Sequence, residues 1–346
     1  MKKKILFLYK WATMGGVERV MLTRALKLLD MYKDLSVSIC FLQKGPAYEQ
    51  IKKNINQHYY KERFDIVDQI NHNEYDLFFV IDTPEVISDI NPKKLFVECH
   101  TSYRKNREYL KDVPSNIQGI IAPSNSMVQT IANEVSTEFK PKVFRLSNDI
   151  GYNINEIHQS PIRYTRTPVF YLGRLDTLKN VEEVMRIVSQ YNDEVQDDLM
   201  IFFVGDIIEH EINFERLLRK YHLMEKYVYL PQISFEKTSS IMKMIRENKG
   251  LFLSASHFES FALSAAEAMY SGIPVLLFYN EAHAQLVQFN EDYLFTKGDY
   301  ADIFQKIKNI IKFYEAHEKV MLQSIEYFNN LFEDDWMSNI HPILYT

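Results

Sequence analysis

The sequence predicts an α/β protein of two domains, each built around a parallel sheet. Three observations carry that expectation. The chain has 346 residues, longer than one ordinary domain. Short, continuous apolar runs alternate with amphipathic segments along most of its length. One polar stretch, near 149–167, interrupts that alternation midway.

The apolar runs come in order as KILFLY (4–9), SVSICFL (36–42), DLFFVI (76–81), KLFVEC (94–99) and GIIAP (119–123). After the polar stretch follow VFYLG (169–173), LMIFFVG (199–205), YVYL (227–230), GLFLSA (250–255) and PVLLFY (274–279). They do not alternate apolar with polar. This marks strands buried on both faces, as in parallel sheets flanked by helices. Helical periodicity falls between them, for example at 17–30, 124–135, 180–190, 211–222, 235–247 and 262–271. The tail from 311 onward reads as a helix, a break near Asn329–Asn330, and a final helix. The interrupting stretch holds Gly151, Pro161 and Pro168 and shows no period, as a linker would. The expected domains are therefore 1–150 and 160–330, with a last helix over 331–346.

Hydrophobic residues make up 46% and charged residues 25%, enough for a core without staples. Cys40 and Cys99 both lie in strand-like runs. They read as buried thiols and supply neither a disulfide framework nor metal-site spacing, which fits a reducing compartment. No run approaches the roughly 18 apolar residues of a membrane span. The start, MKKKILFLYKWATMGG, is basic and then apolar, but Lys10 interrupts it early, and it reads as the first core strand of a cytoplasmic protein. Residues 1–150 sum to +4 and 151–346 to −10. That balance argues against nucleic acid as a partner. The positive half is either an ordinary solvated surface or a face weakly drawn to an anionic leaflet carrying lipid-linked acceptors.

The chemistry concentrates in HFESFALSAAEAMYSGIPVLLF, residues 257–278. It reads strand, loop, helix, turn, strand. Glu259 precedes the helix and Glu267 lies within it. Ser264, Ala265, Ala266 and Ala268 are small enough for close approach. Gly272 stands where a residue with positive φ ends a helix. The N–H groups at the helix start, Ser260 to Leu263, are expected to form an anion site. Upstream, YLGRLDTLKN (171–180) ends a strand with Gly173 and Arg174 and opens a helix after Lys179. Two cations at the carboxyl end of a parallel strand suit a phosphate. After the first strand, TMGGVERVM (13–21) places Gly15 and Gly16 at a helix start, where backbone N–H groups can approach a ligand. The G-x-G-x-x-G fingerprint of dinucleotide sites is absent. So is the Asp-x-Asp with which many transferases hold a divalent cation against a diphosphate.

ESFALSAAEAMYSGIPV resembles the E-x-F-G-L-x-x-x-E-A-M-x-x-G-x-P-V motif of retaining GT-B glycosyltransferases of the family-4 type, with Ala262 in place of a glycine. GRLDTLKN resembles the same family's G-R-L-x-x-x-K-G element, with Asn180 in place of a glycine. GG-x-E-R (15–19) resembles its first loop, which borders the donor. His100, closing KLFVECH, matches its histidine near the transferred sugar. VGD (204–206), SND (147–149) and YVYLPQIS (227–234), with Leu230, are fainter likenesses. At 279–287 only Glu281 matches a loop usually rich in glycine.

The resemblance implies two Rossmann-like domains facing across a cleft, the N-terminal one for the acceptor and the C-terminal one for the donor. It implies that the last helix, around Trp336, returns to the first domain. It implies metal-independent transfer of a hexose or N-acetylhexosamine from a nucleotide diphosphate sugar, UDP-linked, with retained configuration. The acceptor would be a hydroxyl of a glycan, glycolipid, teichoic acid or protein. Arg174 and Lys179 would hold the diphosphate with Gly173 and the N–H groups of Phe261, Ala262 and Leu263. Glu259 would contact the sugar, Glu267 the ribose, and Leu230 the base. Two alternatives stay open: a non-catalytic partner subunit of the same fold, and a sugar-nucleotide epimerase. The missing fingerprint speaks against a third, a dehydrogenase.

Overall fold

The computed structural model describes all residues except 1, 14, 152–161, 232, 234 and 346. The middle of the expected linker, with Pro161, and two positions of the 227–234 segment thus lie outside the described residues. The chain divides into two compact units, Met1–Asp149 with Phe328–Thr346, and Ile150–Tyr327.

The first unit is a doubly wound sheet. Its strands are β1 (Lys3–Trp11), β2 (Leu35–Gln43), β3 (Phe64–Ile66), β4 (Leu77–Ile81), β5 (Leu95–Glu98), β6 (Gly119–Ala122) and β7 (Val143–Arg145). They lie in the order β3-β2-β1-β4-β5-β6-β7, and every pairing is parallel. The order reverses between β1 and β4, the switch point at which such sheets bind ligands beyond their carboxyl ends. The helices α1 (Gly16–Met31), α2 (Tyr48–Gln57) and α3 (Asn125–Glu134) join them. All five residues of β4 are buried, as the unbroken apolar run requires. Phe79 at its centre lies 5.1 Å from Phe7 and 5.2 Å from Phe96, ring centre to ring centre.

The second unit repeats the plan with β8 (Thr167–Leu172), β9 (Leu199–Val204), β10 (Tyr227–Leu230), β11 (Leu251–Ser254), β12 (Val275–Phe278) and β13 (Leu294–Phe295). Their order is β10-β9-β8-β11-β12-β13, again parallel, with the switch point between β8 and β11. Its helices are α4 (Val181–Glu194), α5 (Phe214–Lys220), α6 (Phe235–Glu247), α7 (Leu263–Tyr270), α8 (Glu281–Leu286) and α9 (Tyr300–Lys312). Gly272 has φ +74°, and the N–H groups of Gly272 and Ile273 bond back to Met269 and Ala268. This is the helix-ending motif expected at that glycine.

The chain closes with α10 (Tyr314–Asn339) and α11 (His341–Tyr345). The expected break at Asn329–Asn330 is absent, and α10 runs through both residues. Asparagine disfavours a helix by less than about 1 kcal/mol. Phe328, Phe332 and Trp336 recur at four-residue spacing and are buried, which outweighs that preference. Within the first unit Trp336 stacks on Phe79 at 5.9 Å, and Asp335 makes a two-pronged ion pair with Arg145 at 2.8 Å. The sequence reading also passed over β3, β7 and β13. These short strands sit at sheet edges, where a long apolar run is not needed. Cys40 and Cys99 are buried free thiols. No described helix is long and apolar enough to cross a membrane.

Candidate active site

In the second unit the site grows from two loops at the switch point. The first follows β8. Gly205 has φ +138°, and a Cβ there would lie 2.1 Å from the carbonyl oxygen of Gly173. Only glycine therefore lets the turns after β8 and β9 pass. Gly173 itself has φ +153°. Asp176, buried at 1% exposure, organises what comes next. Its Oδ2 accepts from Arg174 Nε at 2.9 Å and its Oδ1 from the Lys179 backbone N–H at 2.7 Å. A carboxylate between the two cations thus sets the turn, and the sequence reading did not single it out. Asn180 follows at φ +52°, ψ +48° as the residue before α4. This left-handed conformation is the reason a glycine would serve there, and asparagine tolerates it better than most residues.

The second loop follows β11. The N–H of His257 bonds to the carbonyl of Leu178 at 3.0 Å, tying the two loops together. Glu259 then meets Lys179, whose Nζ lies 2.6 and 2.8 Å from its two carboxylate oxygens. The side chains are 11% and 23% exposed. Burial works to raise the Glu259 carboxyl. The Lys179 ammonium and the neighbouring His283 outweigh it and hold the group below the usual carboxylate range. Arg174 remains 47% exposed.

Ala262 precedes α7 with φ +68° and ψ +50° and is 3% exposed. The left-handed turn that a glycine would make is therefore made by an alanine. Phe261 is buried, and Leu263 is the first residue of α7. Glu267 is buried one turn into that helix, on the face that Leu263 shares. Leu230 ends β10, and its carbonyl accepts from the Gly205 N–H at 3.0 Å. It stands at the same edge of the sheet, two strands from Arg174. His283 on α8 is 1% exposed. Burial pushes its imidazole below the usual histidine range, against the pull of Glu259. Its Nδ1–H donates to the carbonyl of Phe278 at 2.7 Å. The sequence reading missed this residue because 279–287 carries no familiar spacing.

In the first unit Gly15 caps α1 with φ −77° and Gly16 is the first helical residue. Glu18 folds back from the first turn. Its Oε1 accepts from the Thr13 N–H at 2.5 Å and from the Thr13 hydroxyl at 2.8 Å. His100 follows β5. Its N–H donates to Asp82 Oδ2 at 3.0 Å, and its ring Nε2 lies 2.6 Å from Glu98 Oε1. Glu98 Oε2 in turn accepts from Arg24 Nη1 at 2.7 Å. Burial works to raise Glu98, but Arg24 and His100 win and bring it down to about 2. Asp82, at φ +41°, moves the other way, with burial raising it above its ordinary value. Glu98 was readable in advance as the one acidic residue inside the apolar run KLFVEC; Arg24 was not, being one of several charges on an amphipathic helix.

The structure thus brings Arg174, Lys179 and Glu259 into one bonded cluster through Asp176 in the second unit, with Gly173 preceding Arg174 in the chain. Leu230 and the start of α7 stand at the same sheet edge. Gly15, Gly16 and His100 belong to the first unit. Among the described residues no group of three or more His, Cys, Asp or Glu side chains is placed to hold a metal ion.

Residues 153–323 match the family model described as glycosyl transferases group 1. Sucrose synthase from Melioribacter roseus is 28% identical over 121 residues, covering 32% of this chain and 15% of that protein. The chain therefore matches only a minor part of that relative's length. Among solved structures, HepE from Anabaena in complex with UDP superposes with a TM-score of 0.69 at 15% identity, covering 98% of both chains. A mutant TarM from S. aureus, solved with fondaparinux, alpha-GlcNAc-glycerol and UDP, gives 0.69 at 14% identity, covering 99% of this chain and 100% of that one. At such identities the likeness is one of fold, and that fold is GT-B, with two parallel-sheet α/β units. Over residues 153–323, in its second unit, this chain thus carries the glycosyl transferases group 1 domain.

Proposed function

We propose that this chain moves a sugar from a nucleoside diphosphate sugar to a hydroxyl acceptor, with retained configuration and without a metal ion. The observation that carries the reading is the Lys179–Glu259 pair at the switch point of the second unit, with Arg174 beside it and the start of α7 close in sequence. When the bond from the sugar carbon to the phosphate oxygen breaks, negative charge collects on the diphosphate. Arg174, Lys179 and the N–H groups of Phe261 to Leu263 meet it, preorganised and partly shielded from water. Glu259, an ionised carboxylate, complements the positive charge that grows on the sugar ring. Glu267 takes the ribose hydroxyls. The acceptor oxygen bonds to the same face of the sugar carbon as the phosphate leaves, and the departing phosphate oxygen takes the acceptor proton. UDP is the favoured nucleotide, because both cited structural neighbours are described as bound to it. The sugar is a hexose or N-acetylhexosamine. The acceptor is a glycan, glycolipid, teichoic acid or protein, met in the cytoplasm or at the inner face of the cell membrane.

The test is transfer or donor hydrolysis by the wild type, Arg174→Ala and Lys179→Ala, with and without chelator. Losing one preorganised group of this kind lowers turnover about a hundredfold to a thousandfold. The loss falls on turnover more than on donor KM, because the charge grows as the bond breaks. Wild-type activity should survive EDTA. Equal turnover in all three proteins would sink the assignment. A wild type that binds nucleotide but turns over no donor is the result expected of a non-catalytic partner subunit.

A further inference from the structure

The first unit buries two full charges in its core. Glu98 and Arg24 are both 0% exposed, although the strand around Glu98 is apolar. Taking two ions out of water costs several kcal/mol each, and apolar pairs of similar volume serve as well or better. The arginine is also incompletely satisfied: its Nε and Nη2 have no hydrogen-bond partner among the described residues. What the pair does reach is His100. Arg24 fixes one carboxylate oxygen of Glu98, and the other lies 2.6 Å from His100 Nε2. The backbone of His100 is held separately, by Asp82. Among the described residues Nδ1 takes no partner.

We propose that Glu98 and Arg24 are positioning residues that hold His100 with its proton on Nε2 and its Nδ1 lone pair ready to accept from a substrate hydroxyl. The reading of His100 as a substrate-facing residue underlies this proposal. The chemistry is directional. Glu98 stays ionised down to about 2, so it accepts only, and Nε2 must donate. Arg24 balances the charge of Glu98, so that the carboxylate orients the imidazole without a net negative charge beside it. Burial raises Asp82, the Cys99 thiol and the Tyr109 hydroxyl above their ordinary values.

The experiment reads the imidazole N–H of His100 by NMR in the full-length protein, assigned by its loss in His100→Asn. A short bond to a buried carboxylate should give a slowly exchanging Nε2 proton. In the double variant Arg24→Met with Glu98→Leu the apolar pair keeps the fold while removing the acceptor. That proton should vanish, and turnover should fall about tenfold to a hundredfold, the order seen when the outer partner of a metal-bound imidazole is removed, with donor KM nearly unchanged. Glu98→Gln keeps an acceptor but strands Arg24, so it should retain the proton signal in whatever fraction folds. A wild type without the signal would overturn the proposal, as would a double variant that keeps it or that loses it with turnover intact. Should the wild type transfer no sugar, the transfer reading fails on its own, and the proton signal still decides how His100 is held.

Discussion

Two side chains occupy left-handed backbone positions that the family motif gives to glycine. At Asn180 the residue type suits the conformation. At Ala262 it does not, since a Cβ in that region costs about 1–2 kcal/mol. Glycine returns about 0.4–1 kcal/mol of that through the greater freedom of its unfolded chain. Ala262→Gly should therefore raise stability by up to about 1 kcal/mol, read as a higher urea midpoint. A lower midpoint would mean that the packing of the alanine methyl outweighs its strain. Ionised carboxylates give a second prediction. Glu259 and Glu98 both have folded values below their ordinary one of 4.5. Each thus contributes stability that is present above the unfolded value and is lost as pH falls through the folded one. The urea midpoint should drop from about pH 4.5 toward about pH 2, and Glu259→Gln should flatten part of that slope. An unchanged slope would show that Lys179 does not stabilise the ionised form.

At the scale of elements, the last long helix is the informative one. Its C-terminal half carries Phe332, Trp336 and Ile340, all 0% exposed, together with Asp335. That carboxylate accepts from both Arg145 and the Ser147 N–H. The helix end is thus pinned to the first unit by apolar burial and by an oriented ion pair. Trp336→Ala should destabilise by about 3–5 kcal/mol, the range for emptying a buried aromatic site, as measured by equilibrium denaturation. A loss below about 1 kcal/mol would show that this helix end is not part of the first unit's core. Helix α7 makes the complementary point. It has eight residues, too few to be stable alone. Burial of Ala265, Ala266, Ala268 and Met269 and the Gly272 ending hold it, and through it the position of Glu267.

For the whole molecule, ligand binding should register as local order in the second unit. A nucleotide at about a hundred times its Kd stabilises the protein that binds it by about 2.7 kcal/mol. UDP should raise the unfolding temperature, and amide exchange should slow at 173–180 and 257–267, leaving the buried centres of the sheets unchanged. Slowing confined to other segments would move the nucleotide away from β8 and β11. No rise with any nucleotide would remove the donor site from this unit altogether.

The sequence by itself determined what local pattern can encode. Continuous apolar runs separated by helical periodicity dictate strands buried on both faces, and hence parallel sheets. A glycine after a helical pattern dictates its left-handed end. Lys179, Glu259 and His100 could all be named from short motifs. That they would pair, and with which residue, could not. Lys179 and Glu259 are 80 residues apart, Arg24 and Glu98 are 74, and Arg145 and Asp335 are 190. Each pair exists because strand order and register bring separate chain segments to one place, and no window of sequence contains both members. The same reason explains the unbroken α10. The preference of two asparagines is local and weak, whereas the burial of Phe328, Phe332 and Trp336 depends on surfaces that only the folded chain supplies.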